Sequence, residues 1–172
     1  DIVNCIRYAV RHRRADGWMP DRVTTDGLAV YAAGLAAAPV GEANLDNTPF
    51  LIFPVDSLSR RMDPEAFLPL FTEWEAVLEQ GLFLLPIDEN GLVYNDVQKP
   101  HSPYGFTDTI GKTGTLYMES LLYWRACRMM EHRCKTYGVG NPDHFAEAAE
   151  AVERSLSLLF DPAAGAFYAA TK

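Results

Sequence analysis

The chain is short of positive charge. Its 172 residues carry 15 Lys and Arg against 23 Asp and Glu, a net charge of -8. Phosphate-backbone binding needs a basic face, so a nucleic-acid partner is excluded, and an anionic membrane surface is a poor fit too. Long apolar runs are also missing. The longest uncharged stretch, Gly27 to Gly41, is rich in Ala and Gly, contains Pro39 and is too short to span a bilayer. Three cysteines, Cys5, Cys127 and Cys134, cannot form a closed disulfide framework, which favours a reduced, cytoplasmic compartment. There is no Gly-rich phosphate loop, no Gly-x-Ser-x-Gly elbow and no recognisable Cys-His pairing. His132 and Cys134 are two apart, which suits no ligand pair, and His101 and His144 lack partners at ligand spacing, so no metal and no cofactor is expected. Met118, Met129 and Met130, with Leu121, Leu122 and Trp124, read as core. His12, in "RHRR", reads as surface.

What is present is an apolar content of 48%, enough for one globular core, divided by Pro, Gly and Asp into helical segments. The spacing predicts helices over Ile2–Ala15, Asn47–Met62, Pro64–Leu84, Thr113–Tyr137 and Pro142–Phe160. Asp63 is a cap with Pro64 at the first position and Glu65 suited to the positive end, and Gly138 ends the longest helix. "DENGLVYN" and "DPAAGAFYAA" form a weak internal repeat, with Asp88 and Asp161 spaced 73 apart, and "DGLAVY" offers a third copy. Each copy reads as a small β-hairpin or turn hung on a helix end, although Asp-Gly turns recur in any acidic protein. The expected fold is all-α: helical hairpins decorated by small β-hairpin loops near Tyr94 and Tyr168.

The stretch "EANLDNTPF", Glu42 to Phe50, sets two acids and two Asn directly before an apolar helix. Two readings stay open for Asp46: a helix cap, or a carboxyl held at the mouth of a pocket.

The same stretch resembles the Glu-x-Gly-x-Asp-Asn-Ser-Pro segment of the (α/α)6-barrel glycoside hydrolases of clan G. These include the processing α-glucosidase family, the mannosylglycerate hydrolases and, more distantly, trehalase. Asn47, Thr48 and Pro49 match, with Thr for Ser. Asn44 stands where the family has Gly, and Asn also tolerates φ > 0. "HSPYGFTDTIGKTGTLYMESLLYWRA" and "LLFDPAAGAFY" resemble a later loop-then-helix and a helix-to-hairpin ending of bacterial members.

The resemblance implies an inverting glycosidase acting on an oligosaccharide or glycoside, with Asp46 as the general acid. Trp18, Glu42, Asn47, Tyr104, Phe106 and Asp108 are the weaker candidates for sugar contact: loop aromatics can stack on a sugar ring, and short polar side chains can hold hydroxyls. The family's base is a Glu in a later motif with no counterpart here. Five helices, against the twelve of six hairpins, make the chain resemble about half of an (α/α)6 toroid. Its start at Asp1, inside a helix, fits a piece of a longer protein. The partial toroid would need the remainder of the catalytic domain, or a second chain, to cover its exposed helix faces. The isolated chain is expected to be inactive. If it did turn over, Glu119 and Asp108 would be the candidates for base. The rival reading is a non-catalytic helical-repeat scaffold, separated from the enzyme by whether a second carboxylate faces Asp46 across an open pocket.

Overall fold

Apolar spacing and caps fix where the helices begin and end. In the computed structural model, which describes residues 1–35, 38–103 and 111–171, five α-helices form among those residues. They are α1 (Ile2–Arg11), α2 (Asn47–Ser59), α3 (Pro64–Phe83), α4 (Tyr117–Tyr137) and α5 (Pro142–Ser155). Asp63 caps α3 by accepting from the Glu65 N–H at 2.9 Å, and Asn141 caps α5 by accepting from Asp143 N–H at 3.2 Å. Gly138, at φ +66°, closes α4 in the left-handed conformation that suits glycine. Helix α1 stops at Arg11 rather than Ala15. Beyond it the Arg14 N–H turns to the Trp18 carbonyl, and the Arg14 guanidinium reaches Asp16 and the Glu42 carbonyl.

The all-α expectation is corrected: the fold is mixed α/β. Nine short strands pair into four small antiparallel sheets among the described residues. β1 (Arg22–Val23) pairs with β2 (Ala29–Val30), and β3 (Ala33–Leu35) with β4 (Ala38–Val40). β5 (Tyr94–Asn95), β6 (Gly114–Leu116) and β9 (Ala170–Thr171) form a three-stranded sheet, and β7 (Phe160–Asp161) pairs with β8 (Ala166–Phe167). The physical reason is that the connections between helices carry backbone N–H and C=O groups, and these pair with one another across short turns. Gly114 (φ +90°) breaks the helical run and the β-branched Thr115 suits a strand, so β6 takes the segment expected as the first turn of α4. The Asp-led turns do repeat. Asp88 Oδ1 accepts from the N–H groups of Asn90 and Leu92, and Asp161 Oδ1 from those of Ala163 and Ala164.

The core is one continuous cluster. Phe67, Phe71, Trp74, Leu78 and Leu82 of α3 meet Ile52 and Val55 of α2, Ala126 and Met130 of α4, and Phe145 and Ala149 of α5. Helices α2 and α4 run parallel, because Asp56 meets Arg133 and Ser59 meets Tyr137, offsets of 77 and 78 residues. Helix α3 runs against them, with Phe67 on Tyr137 and Gly81 close under Thr48. The turn from α4 to α5 presses on α3: a Cβ at Gly140 (φ +72°) would lie 2.0 Å from Glu75 Oε1.

Candidate functional site

The motif strip before α2 is buried on both sides. Ser102 N–H donates to the Ala43 carbonyl and Leu45 N–H to the Ser102 carbonyl, both at 3.0 Å. On the other side Asn44 N–H donates to the Tyr31 carbonyl at 2.9 Å. Gly41 (φ +79°) permits this approach, since a Cβ there would stand 2.6 Å from Ser102 N. The left-handed residue is therefore Gly41, and Asn44 has no positive φ.

Asn44 and Asn47 act as clamps on the Met19–Asp21 strip. The Asn44 side chain accepts from Ala33 N–H at 2.7 Å and donates to Asp21 Oδ1 at 2.8 Å. Asn47 Nδ2 donates to the Met19 carbonyl at 2.8 Å and lies 3.1 Å from the Tyr31 carbonyl. Asp21 Oδ2 also takes Arg22 Nη1 at 2.6 Å.

Between these clamped strips and α1 opens a cleft of about 640 Å³. Asn4, Cys5 and Tyr8 line it from α1, Asp21 and Arg22 from the β1 side, and Asp46, Asn47, Phe50 and Pro54 from α2. Its size suits a small-molecule site. Asp46 is 3% exposed and occupies the N-cap of α2, where its carbonyl accepts from Phe50 N–H at 2.9 Å. Its carboxyl makes no capping hydrogen bond. Pro54, inside α2, removes the N–H that would bond the Phe50 carbonyl on the cleft side.

The other sequence candidates divide. Asn47 lines the cleft but spends its amide donors on backbone. Trp18 is buried, 4.8 Å from the His101 ring, and does not line the cleft. Glu42 is exposed and pairs with Lys99 at 3.1 Å, also away from it. Tyr104, Phe106 and Asp108 lie outside the described residues. Asp21, Arg22, Tyr8 and Phe50 were not singled out from sequence. Asp21 sits in "MPDRV", and nothing local marks that its partner is Asn44.

A second buried acid lies at the same end of the helix pair. Glu119 lies in the first turn of α4, as Asp46 lies at the start of α2, and the two helices run parallel. The Glu119 side chain is fully buried, with Lys112 Nζ 3.1 Å from Oε1 in ion-pair contact. Burial pushes its carboxyl above the usual range, against the pull of Lys112. It does not line the cleft. Among the described residues no group of three or more His, Cys, Asp or Glu could hold a metal ion, and no helix is long and apolar enough to cross a membrane.

No protein-family model, curated protein or solved structure matches this chain.

Proposed function

We propose that this chain is part of a protein that hydrolyses a glycosidic bond, with Asp46 protonating the leaving oxygen and a base carboxylate outside this chain taking the proton from the attacking water. One observation carries the reading: Asp46 is a buried acid at a helix N-cap that makes no capping bond and lines an open cleft. A scaffold whose Asp46 serves only to cap α2 fits less well for the same reason. The resemblance of Glu42–Pro49 to the acid motif of clan G glycosidases supports the assignment independently of the cleft. Asp21 is not assigned as the base. Arg22 and Asn44 already engage its two oxygens, which suits holding a hydroxyl better than taking a proton.

The test is Asp46→Asn in the native protein, with kinetics on two aryl glycosides and a melting curve. The amide cannot deliver a proton, so turnover of a poor leaving group should fall by about 10²–10⁴-fold. A glycoside whose phenolate leaves unassisted should suffer much less. Asn is close to Asp in size and nearly as good an N-cap, so stability should shift by only a few tenths of a kcal/mol. Unchanged turnover on the poor leaving group would return Asp46 to a structural role.

A further inference from the structure

We infer that Asp21 is a ligand-recognition residue of the Asp46 cleft, and that its carboxylate, which already holds Arg22, confines the cleft to sugars carrying no anionic group. The inference rests on the glycoside reading and names its substrate class.

The cationic side chain in the lining is Arg22. A free guanidinium there would invite a carboxylate or a phosphate. This one is already committed. Nη1 donates to Asp21 Oδ2 at 2.6 Å and to the Ala32 carbonyl at 2.9 Å, and Nη2 donates to the Gly34 carbonyl. An anionic ligand would have to displace Asp21 from Arg22 and then stand beside the Asp21 carboxylate. Like charges at that range oppose binding.

A hydroxyl meets the opposite situation. Each Asp21 oxygen accepts one described hydrogen bond, from Asn44 or from Arg22, and a carboxylate oxygen has room for a second donor. The Asp21 side chain is 15% exposed, so its oxygens can be reached from the cleft. Asn44 is fully buried and fixed by Ala33 N–H, so the carboxylate is held in place before any ligand arrives. Phe50, 39% exposed, offers an apolar face for the C–H side of a sugar ring.

The cleft contains its own reporter. Cys5 lines it and is exposed, whereas Cys127 and Cys134 are buried. Occupancy can therefore be read from protection of Cys5 against N-ethylmaleimide, without any turnover. The probes are methyl α-glucoside and methyl α-mannoside, each beside its uronide. The neutral glycosides should slow labelling, and the uronides should need at least about tenfold higher concentration for equal protection. Asp21→Asn should raise the neutral-sugar concentration required by about tenfold and narrow the gap to the uronides. Equal protection by both classes overturns the inference, and this comparison in the wild type needs no variant to fold. A folded Asp21→Asn that matches wild type on neutral sugars overturns it as well. Asp46-dependent turnover without discrimination by charge would sink this inference and leave the glycoside reading standing. Protection by neither class, with no turnover, would sink both.

Discussion

Helix α2 carries two aspartates with the same burial and different surroundings. Asp46 and Asp56 are each 3% exposed. Asp56 sits between helices, with Arg133 Nε 2.9 Å from Oδ1 and Arg60 Nη2 2.5 Å from Oδ2. Two guanidinium groups neutralise it, and the Arg133 contact ties α2 to α4. Asp46, about three turns earlier, lines the cleft beside α1 and makes no capping hydrogen bond. Burial of a carboxyl therefore does not distinguish a strut from a chemical group. What faces the carboxyl does.

The sharpest way to break this comparison is to remove each acid in turn. Asp56→Ala leaves Arg133, only 8% exposed, without its counter-ion, and breaking a buried pair typically costs about 3–5 kcal/mol. Chemical denaturation should show a loss near the lower figure, since Arg60 opens one side of the pair to solvent, while neutral sugars still protect Cys5. A loss below about 1 kcal/mol, the scale of exposed pairs, would mean the pair is not the strut described here.

A smaller effect should come from Glu75. Burial raises its carboxyl above the ordinary 4.5, and the charge of Glu79 adds to this. The folded chain then holds a proton that the unfolded chain releases. Stability from this group is complete below 4.5 and is lost as pH rises through the raised value. Glu75→Gln should flatten that slope and melt higher than wild type at neutral pH. Parallel melting-temperature profiles against pH for the two proteins would contradict the account.

The smallest effect belongs to Glu42. Its pair with Lys99 is exposed, and such pairs are worth about 0–1 kcal/mol and weaken in salt. Glu42→Gln should leave glycoside turnover unchanged and shift the melting temperature only slightly at low salt. A large loss of turnover would put Glu42 in the site after all.

The helices were legible because their signals are local. Asp63-Pro64 and Asn141-Pro142 start α3 and α5 where the residues say, and Gly138 ends α4. The small hairpins at the Asp-led turns were legible too, as β1–β2, β7–β8 and the Ile87–Val93 bridge, but the three-stranded sheet was not, because strands of two or three residues have no measurable alternation. The pairing of β6 with both β5 and β9 joins segments far apart in the chain. Asp46 stood out by its neighbours, and it is among the residues that line the cleft. Asp21 enters the cleft through a side-chain bond to Asn44, and a contact of that kind leaves no trace in spacing. Trp18 had the right chemistry in a loop, but its ring packs into the core instead.

The turn between α4 and α5 has a consequence for how this sequence can vary. Gly140 meets Glu75 so closely that any side chain there must move the carboxylate, and φ +72° penalises every L residue besides. A shorter residue at position 75 relieves the first problem and leaves the second. The two positions are therefore coupled in one direction. Glu75 can shrink while Gly140 stays, but Gly140 cannot grow while Glu75 stays. In a library randomised at both sites, side chains at 140 should survive only beside a truncated 75, and even then be rare.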